Sequence, residues 1–128
     1  MALRILRLGT PRFPQEGTRI GAVRRPPRGV PKESYASQNW FDVWYPDLAP
    51  SADLVSHARS ARSEKEWRAF VRAFRAEMNE PMPRRTLDLL AALSHDARFS
   101  IGCYCENEQR CHRSVLRELL AERGAKLL

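Results

Sequence analysis

Long apolar runs are missing from this sequence. No stretch approaches the roughly 18 apolar residues of a membrane helix, and no apolar core follows the first basic residues, so neither a membrane span nor a secretory leader is expected. Cysteine is scarce: there are three, an odd number, and two lie one residue apart. That speaks against a disulfide framework and for a reducing, cytoplasmic setting. Glycine is scarce as well, and none lies between Cys105 and Arg113, which excludes a glycine-rich phosphate cradle there. Lysine is nearly absent, because 19 of the 22 basic residues are arginine. Arginine suits phosphate recognition, although a genome rich in arginine codons gives the same bias. No repeat or low-complexity tract appears.

The net charge of +7 is unevenly placed. Residues 1–32 hold Arg4, Arg7, Arg12, Arg19, Arg24, Arg25, Arg28 and Lys32 against Glu16 alone, eight minus one, while the remaining residues balance 14 basic against 14 acidic. A basic first quarter is the footprint of a nucleic-acid-binding surface.

Hydrophobic patterning gives the elements. Residues 3–9 and 18–24 alternate and predict strands. Residues 25–34 read as a Pro/Gly/Arg loop, with no regular element before about Tyr35. Trp40, Phe41, Trp44 and Tyr45 follow as a cluster, read as core or packed loop more readily than as a stacking platform. Ser51 caps a helix with Leu54, Val55 and Ala58 inward. Ser63 and Glu66 have capping-box spacing ahead of Trp67, Phe70, Val71, Phe74 and Met78, a clear amphipathic face. Arg68, Arg72 and Arg75 point away from it. Pro81 and Pro83 read as breakers, with a further helix over 86–93. Residues 99–104 predict a buried central strand, and Val115, Leu116, Leu119 and Leu120 predict a last helix closed by Gly124. This order predicts an α/β fold: a small, mostly parallel sheet flanked by helices, in a single domain over 1–128.

The chemistry concentrates in the strand–loop–helix segment 97–124. Cys103, Cys105, Cys111 and His112 all fall there, beside Arg110 and Arg113. Helix N-termini attract anions, and ligands bind at the C-terminal ends of parallel strands. Three readings stay open. One is a metal site, although adjacent Cys111 and His112 point apart in regular structure and the spacing is not a familiar zinc pattern. One is a thiol nucleophile, although the loop has no glycine to let backbone N–H groups converge. One is a binding loop in which Glu106 and Arg113 contact the ligand and the cysteines fill space.

Cys105-Glu106 followed by Cys111-His112-Arg113 resembles the C-x-E…C-H-R signature of the proteins gathered as domain of unknown function 488. Arg19-Ile20, Pro27-Arg28-Gly29, Trp44 and Ala49-Pro50-Ser51 resemble its YeaO-like branch, as does the helix with Phe70, Phe74 and Glu77. The resemblance spans roughly residues 18–124. It departs at Pro26, where that branch carries an aromatic. It implies a compact α/β fold and, by analogy of fold, a role in nucleotide or nucleic-acid metabolism.

The leading expectation is therefore a protein that binds or processes a phosphorylated, nucleotide-like ligand. Glu106, His112 and Cys105 are the candidate catalytic residues, and Arg28, Arg110, Cys111, Arg113 and Trp44 the candidate ligand-binding residues. No metal or other cofactor is assigned. The alternatives are a non-catalytic nucleic-acid binder using residues 1–32, and a structural zinc-binding or partner-binding domain. Arg28 and Arg113 are expected to converge on one pocket with Glu106 and His112, with Arg113 exposed in it. No intramolecular disulfide is expected, since Cys103 and Cys105 on one strand would lie about 7 Å apart.

Overall fold

The computed structural model describes residues 1–128. Its centre is a four-stranded, all-parallel sheet: β1 (Leu3–Arg7), β2 (Thr18–Gly21), β3 (Val43–Trp44) and β4 (Phe99–Cys103), in spatial order β1-β4-β2-β3. β4 is central, paired with β1 from Leu3↔Phe99 to Arg7↔Cys103 and with β2 from Thr18↔Phe99 to Gly21↔Gly102. All five of its residues are buried. The apolar run expected for a doubly covered parallel strand is thus present. The four helices are α1 (Ala52–Ser60), α2 (Glu64–Met78), α3 (Pro81–Leu93) and α4 (His112–Glu122).

The two faces of the sheet are covered differently. Leu3, Ile5, Phe99 and Ile101 join the helices in the main core, with Phe70 and Phe74 of α2, Leu87 of α3 and Leu116 and Leu120 of α4. Leu6, Leu8, Val23 and Phe41 form a second, smaller core with Cys103 and Cys111, and the loop before β3 lends Tyr35 and Trp40 to it. Glycine makes this close cover possible. A Cβ on Gly21 would stand 2.4 Å from the Phe41 ring, and one on Gly102 would stand 2.8 Å from the Leu6 carbonyl oxygen.

Several local expectations change. Pro81 and Pro83 do not break the chain; they open α3. The first helical hydrogen bond there runs from Arg84 N–H to the Glu80 carbonyl, so both prolines sit where an N–H has no partner to lose. Val43–Trp44 pairs with Ile20 and Gly21 as a two-residue edge strand, too short for a periodic signal. Lys32–Ser34 makes one 3-10 turn inside the supposed loop. The chain end, too short to read, returns to β1: Leu3 N–H donates to Lys126 and Leu128 N–H to Leu3. The Ser63 cap holds as expected, with its hydroxyl accepting from Glu66 N–H at 3.1 Å. Gly124 follows α4 with φ of 78°.

The second face is held by charge. Arg19 of β2 is 0% exposed. Its Nε and Nη2 donate to Glu16 at 2.7 and 2.8 Å, Nη1 to the Thr10 and Asn39 carbonyls at 2.9 and 2.7 Å, and Nη2 to Pro11 at 3.4 Å. Every guanidinium N–H therefore has an acceptor. Burial pushes the Glu16 carboxyl up, but hydrogen bonds from Arg19, Ser100 and the Phe13 N–H bring it down to about 2. A partner removed here strands a buried charge, so Arg19→Met should cost about 3–5 kcal/mol in urea unfolding at pH 7. Glu16 is depressed from an ordinary value near 4.3, so its contribution is complete above that pH and is lost as pH falls toward 2. Wild-type stability should drop between pH 5 and pH 2, and Arg19→Met should show less of that drop.

Candidate functional site

Two sulfurs meet where β4 hands over to α4, with a third cysteine close by in sequence. Cys103 is the last residue of β4 and Cys111 the N-cap of α4; both are buried, and their Sγ atoms lie 2.6 Å apart. Cys105 stands two residues past the strand, exposed, with no disulfide to either neighbour. Cys105 lies two residues beyond Cys103 in the same segment, and its carbonyl accepts from Arg113 in the first turn of α4. The expectation that no bridge forms considered only Cys103 and Cys105; the close pair is Cys103 and Cys111.

The sulfurs do not share charge equally. Cys103, then Cys111, pull the Cys105 thiol below its ordinary range, helped by the Arg113 charge and opposed by burial. Burial pushes Cys103 up. Cys111 rises to about 11, because the effects of Cys105 and burial outweigh the hydrogen bond from Cys103. The group therefore ionises first at its exposed member. The Cys111 side chain, at the N-cap of α4, makes no capping hydrogen bond.

His112 is fixed by its two ring nitrogens. Nε2 lies 2.6 Å from the Ala22 carbonyl and Nδ1 lies 3.7 Å from Cys111 Sγ. A carbonyl only accepts, so Nε2 carries the proton and the Nδ1 lone pair faces the sulfurs. Burial lowers the His112 pKa, which keeps the ring neutral. Its face meets the edge geometry of Phe74, 5.7 Å away, at the end of the Trp67–Phe70–Phe74 row of α2.

The remaining candidates divide. Arg113 is only 4% exposed; Nη2 donates to the Cys105 carbonyl at 2.6 Å, and Nε has no partner. It braces the loop from within instead of standing free in a pocket. Glu106 has an 83% exposed side chain and faces Arg7 at 3.5 Å, at the rim. Arg110 turns away, pairing with Glu64 and lying over Trp67 of α2. Trp44 donates its indole N–H to Val23 at 2.8 Å and leaves its ring 43% exposed. Arg28 is exposed and makes no hydrogen bond to these groups. Its loop does reach the site, because Tyr104 Oη donates to the Arg25 carbonyl at 2.8 Å. So Cys105, Cys111, His112 and Arg113 come together, while Arg110 does not join them and Arg28 does not contact Arg113. Cys103, read as filler, proves to be part of the cluster; the Ala22 carbonyl and Arg7 had no signal in the sequence.

The donor atoms of Cys103, Cys111 and His112 lie within 4.8 Å of one another, contrary to the idea that Cys111 and His112 must point apart. The donor set suits a soft metal, but the spacing does not. Two zinc thiolates with bonds near 2.3 Å stand roughly 3.8 Å apart at a tetrahedral angle, and these sulfurs are more than 1 Å closer. Concavities of about 220 Å³ beside Leu54, His57 and Phe70, and of about 250 Å³ beside Arg4, Glu16 and Arg98, include none of the sulfurs.

Because Arg113 is buried, Arg113→Ala should destabilise the protein, where an exposed residue would give little change. The lost hydrogen bond to Cys105 and the lost packing of the stem predict about 2–3 kcal/mol in chemical denaturation.

The comparisons with known proteins fit this segment. No curated protein and no solved structure matches the chain. The family model described as the active DUF488-N3 subclade, DUF488-N3a, matches residues 3–124 and so takes in every strand, every helix and the whole sulfur cluster. By that match the chain belongs to the DUF488 family.

Proposed function

We propose that the chain binds and processes a phosphorylated, nucleotide-like ligand at the Cys105–Arg113 loop, with Cys105 as the attacking group. The observation behind this is the exposed Cys105 thiol, pulled below its ordinary range by Cys103 and Cys111, on a loop whose carbonyl Arg113 holds. A thiolate is the nucleophilic form, and donors that stabilise it raise its share at neutral pH. Arg113 holds the loop that carries it. Neutral His112 orients the sulfur group through Nδ1. Anion binding falls to exposed Arg25 and Arg28, which have no partner within the protein and sit in the loop pinned by Tyr104. Glu106, exposed at the rim, is placed to accept from a ribose hydroxyl.

The nucleic-acid reading has less behind it. Within residues 1–32, Arg4 lies over Phe13, Arg7 binds Tyr104 and Glu106, Arg12 pairs with Asp42, Arg19 with Glu16, and Arg24 donates to Ala49 and Pro50. Arg25, Arg28 and Lys32 are left for phosphates. Three contacts give a salt slope near −2.7, modest for a nucleic-acid binder.

Iodoacetamide alkylation reads the thiolate directly. An ordinary thiol loses about tenfold in rate per pH unit below roughly 8.5. Cys105 is depressed, so its rate should stay level from pH 8 to pH 6. Thermal-shift titration with nucleoside phosphates should raise the melting temperature, and Arg28→Ala should weaken binding by about 1.5–3 kcal/mol, the worth of a charged hydrogen bond. No shift with any nucleoside phosphate, together with an ordinary alkylation profile, would remove both halves of the reading.

A further inference from the structure

The reading of Cys105 as the reactive group leaves two buried thiols without a chemical role. Cys103 and Cys111 stand at 2.6 Å, shielded from solvent, with the exposed Cys105 two residues beyond Cys103 and tied by its carbonyl to Arg113 in the first turn of α4. We infer that the three cysteines form a two-electron redox centre: Cys105 takes the oxidising equivalent of a small hydroperoxide, and the Cys103–Cys111 pair stores it as a disulfide. The inference rests on the reading of Cys105 as nucleophile.

The placement of the sulfurs sets the order of events. A protein disulfide or other bulky oxidant would need access to Cys103 or Cys111, which are 1% and 2% exposed. A hydroperoxide needs only Cys105. Its sulfur attacks the terminal peroxide oxygen; the S–O bond forms, the O–O bond breaks, and the alkoxide takes a proton to leave as alcohol. Cys111 then attacks the Cys105 sulfenic acid. The S–S bond forms, the S–O bond breaks, and hydroxide leaves as water with the Cys111 proton. Cys103 attacks the Cys111 sulfur in turn, giving up its proton and releasing Cys105 as thiolate. The balance is two thiols and one hydroperoxide converted to one disulfide, one alcohol and one water. A low-molecular-weight dithiol reverses it, becoming a disulfide itself. The product is favoured because it places the bond between the two sulfurs that are already paired and dry, and returns the exposed sulfur as the charged one.

The same arrangement separates this centre from a damaged thiol. A lone exposed thiolate climbs from sulfenic to sulfinic acid when peroxide persists, and that step is not reversed by thiols. The neighbouring Cys103–Cys111 pair intercepts the sulfenic acid first.

The test uses the full-length protein, reduced, freed of reductant and treated with one equivalent of hydrogen peroxide. Free thiols should fall from three to one. Cleavage after Arg110 and Arg113 releases Cys111 on its own peptide, and fragmentation of its partner peptide tells whether Cys103 or Cys105 is bridged. The expected product links Cys103 to Cys111 and leaves Cys105 open to alkylation. Cys105→Ser should form the same disulfide at least about tenfold more slowly, since it removes the ionised entry point. Cys111→Ala should give sulfenic acid on Cys105 or a Cys103–Cys105 bridge; if that variant does not fold, the wild-type peptide map still decides. Oxidation of Cys105 to sulfinic acid with Cys103 and Cys111 left free would overturn the inference while keeping Cys105 as nucleophile. A Cys105 unreactive to both peroxide and iodoacetamide would overturn the inference and the nucleophile reading together. Tight, stoichiometric zinc uptake that protects all three thiols until chelated would replace the redox centre with a metal site.

Discussion

The Arg19–Glu16 ion pair is the constraint on which the rest depends. The helices account for one face of the sheet with ordinary apolar packing. The other face has no helix, only the turn around residues 10–16 and the long loop leading to β3. Both are irregular, and irregular backbone over a sheet brings polar groups that need partners. Arg19 supplies donors to three of their carbonyls at once, and its backbone N–H and carbonyl exchange with Asp42 at 2.8 Å each. Glu16 reaches across to Ser100 Oγ of β4 at 2.7 Å. One buried pair thus joins β2, β4 and both covering segments. Its specificity is positional: no apolar side chain of similar volume would satisfy those carbonyls.

That cover decides what the sheet end can do. With Phe41 held over Gly21, the loop sets Trp40 edge-on to Tyr104 at 5.8 Å, and Tyr104 in turn ties the Arg25 carbonyl. On the helix side, Arg75 of α2 grips Glu118 and Glu122 of α4 at 3.0 and 2.8 Å, which fixes the helix whose first turn carries Cys111, His112 and Arg113. The sulfur cluster is therefore clamped from both faces. The exposed arc between Cys105 and Arg110 is held by side chains alone, Arg113 on the Cys105 carbonyl, Arg117 on Glu108 and Glu64 on Arg110.

What the sequence revealed follows from which signals are periodic. The α2 stripe, the central β4 run and the Gly124 stop repeat or punctuate regularly, so each was legible. Pro81 and Pro83 were misread because a proline is the same residue whether it ends a helix or opens one, and only the neighbouring turn tells which. The pairing within the basic first quarter was not legible for a related reason. Charge is visible in a sequence, but pairing across 30 residues, as between Arg12 and Asp42, is not. Arg113 shows the same limit: its spacing beside Cys111 was correct, its burial invisible. Cys103 was hidden by its own ordinariness, since a buried cysteine at a strand end reads as a small apolar residue until its partner is located.

The missing glycines of the loop find their explanation in the sulfurs. A thiolate is commonly stabilised by backbone N–H groups that converge on it, and convergence of that kind calls for glycine. Here Cys103 and Cys111, with the Arg113 charge, pull the Cys105 thiol down, and Arg113 holds the loop by the Cys105 backbone carbonyl. These side chains come from the strand end and the helix start, elements whose backbones are already fixed. The loop itself need not curl around the sulfur, so it can be built of Glu, Asn and Gln without strain; no residue in it has a positive φ. The absence of glycine, which argued against thiol chemistry when a backbone cradle was assumed, is what a cradle made of cysteines requires.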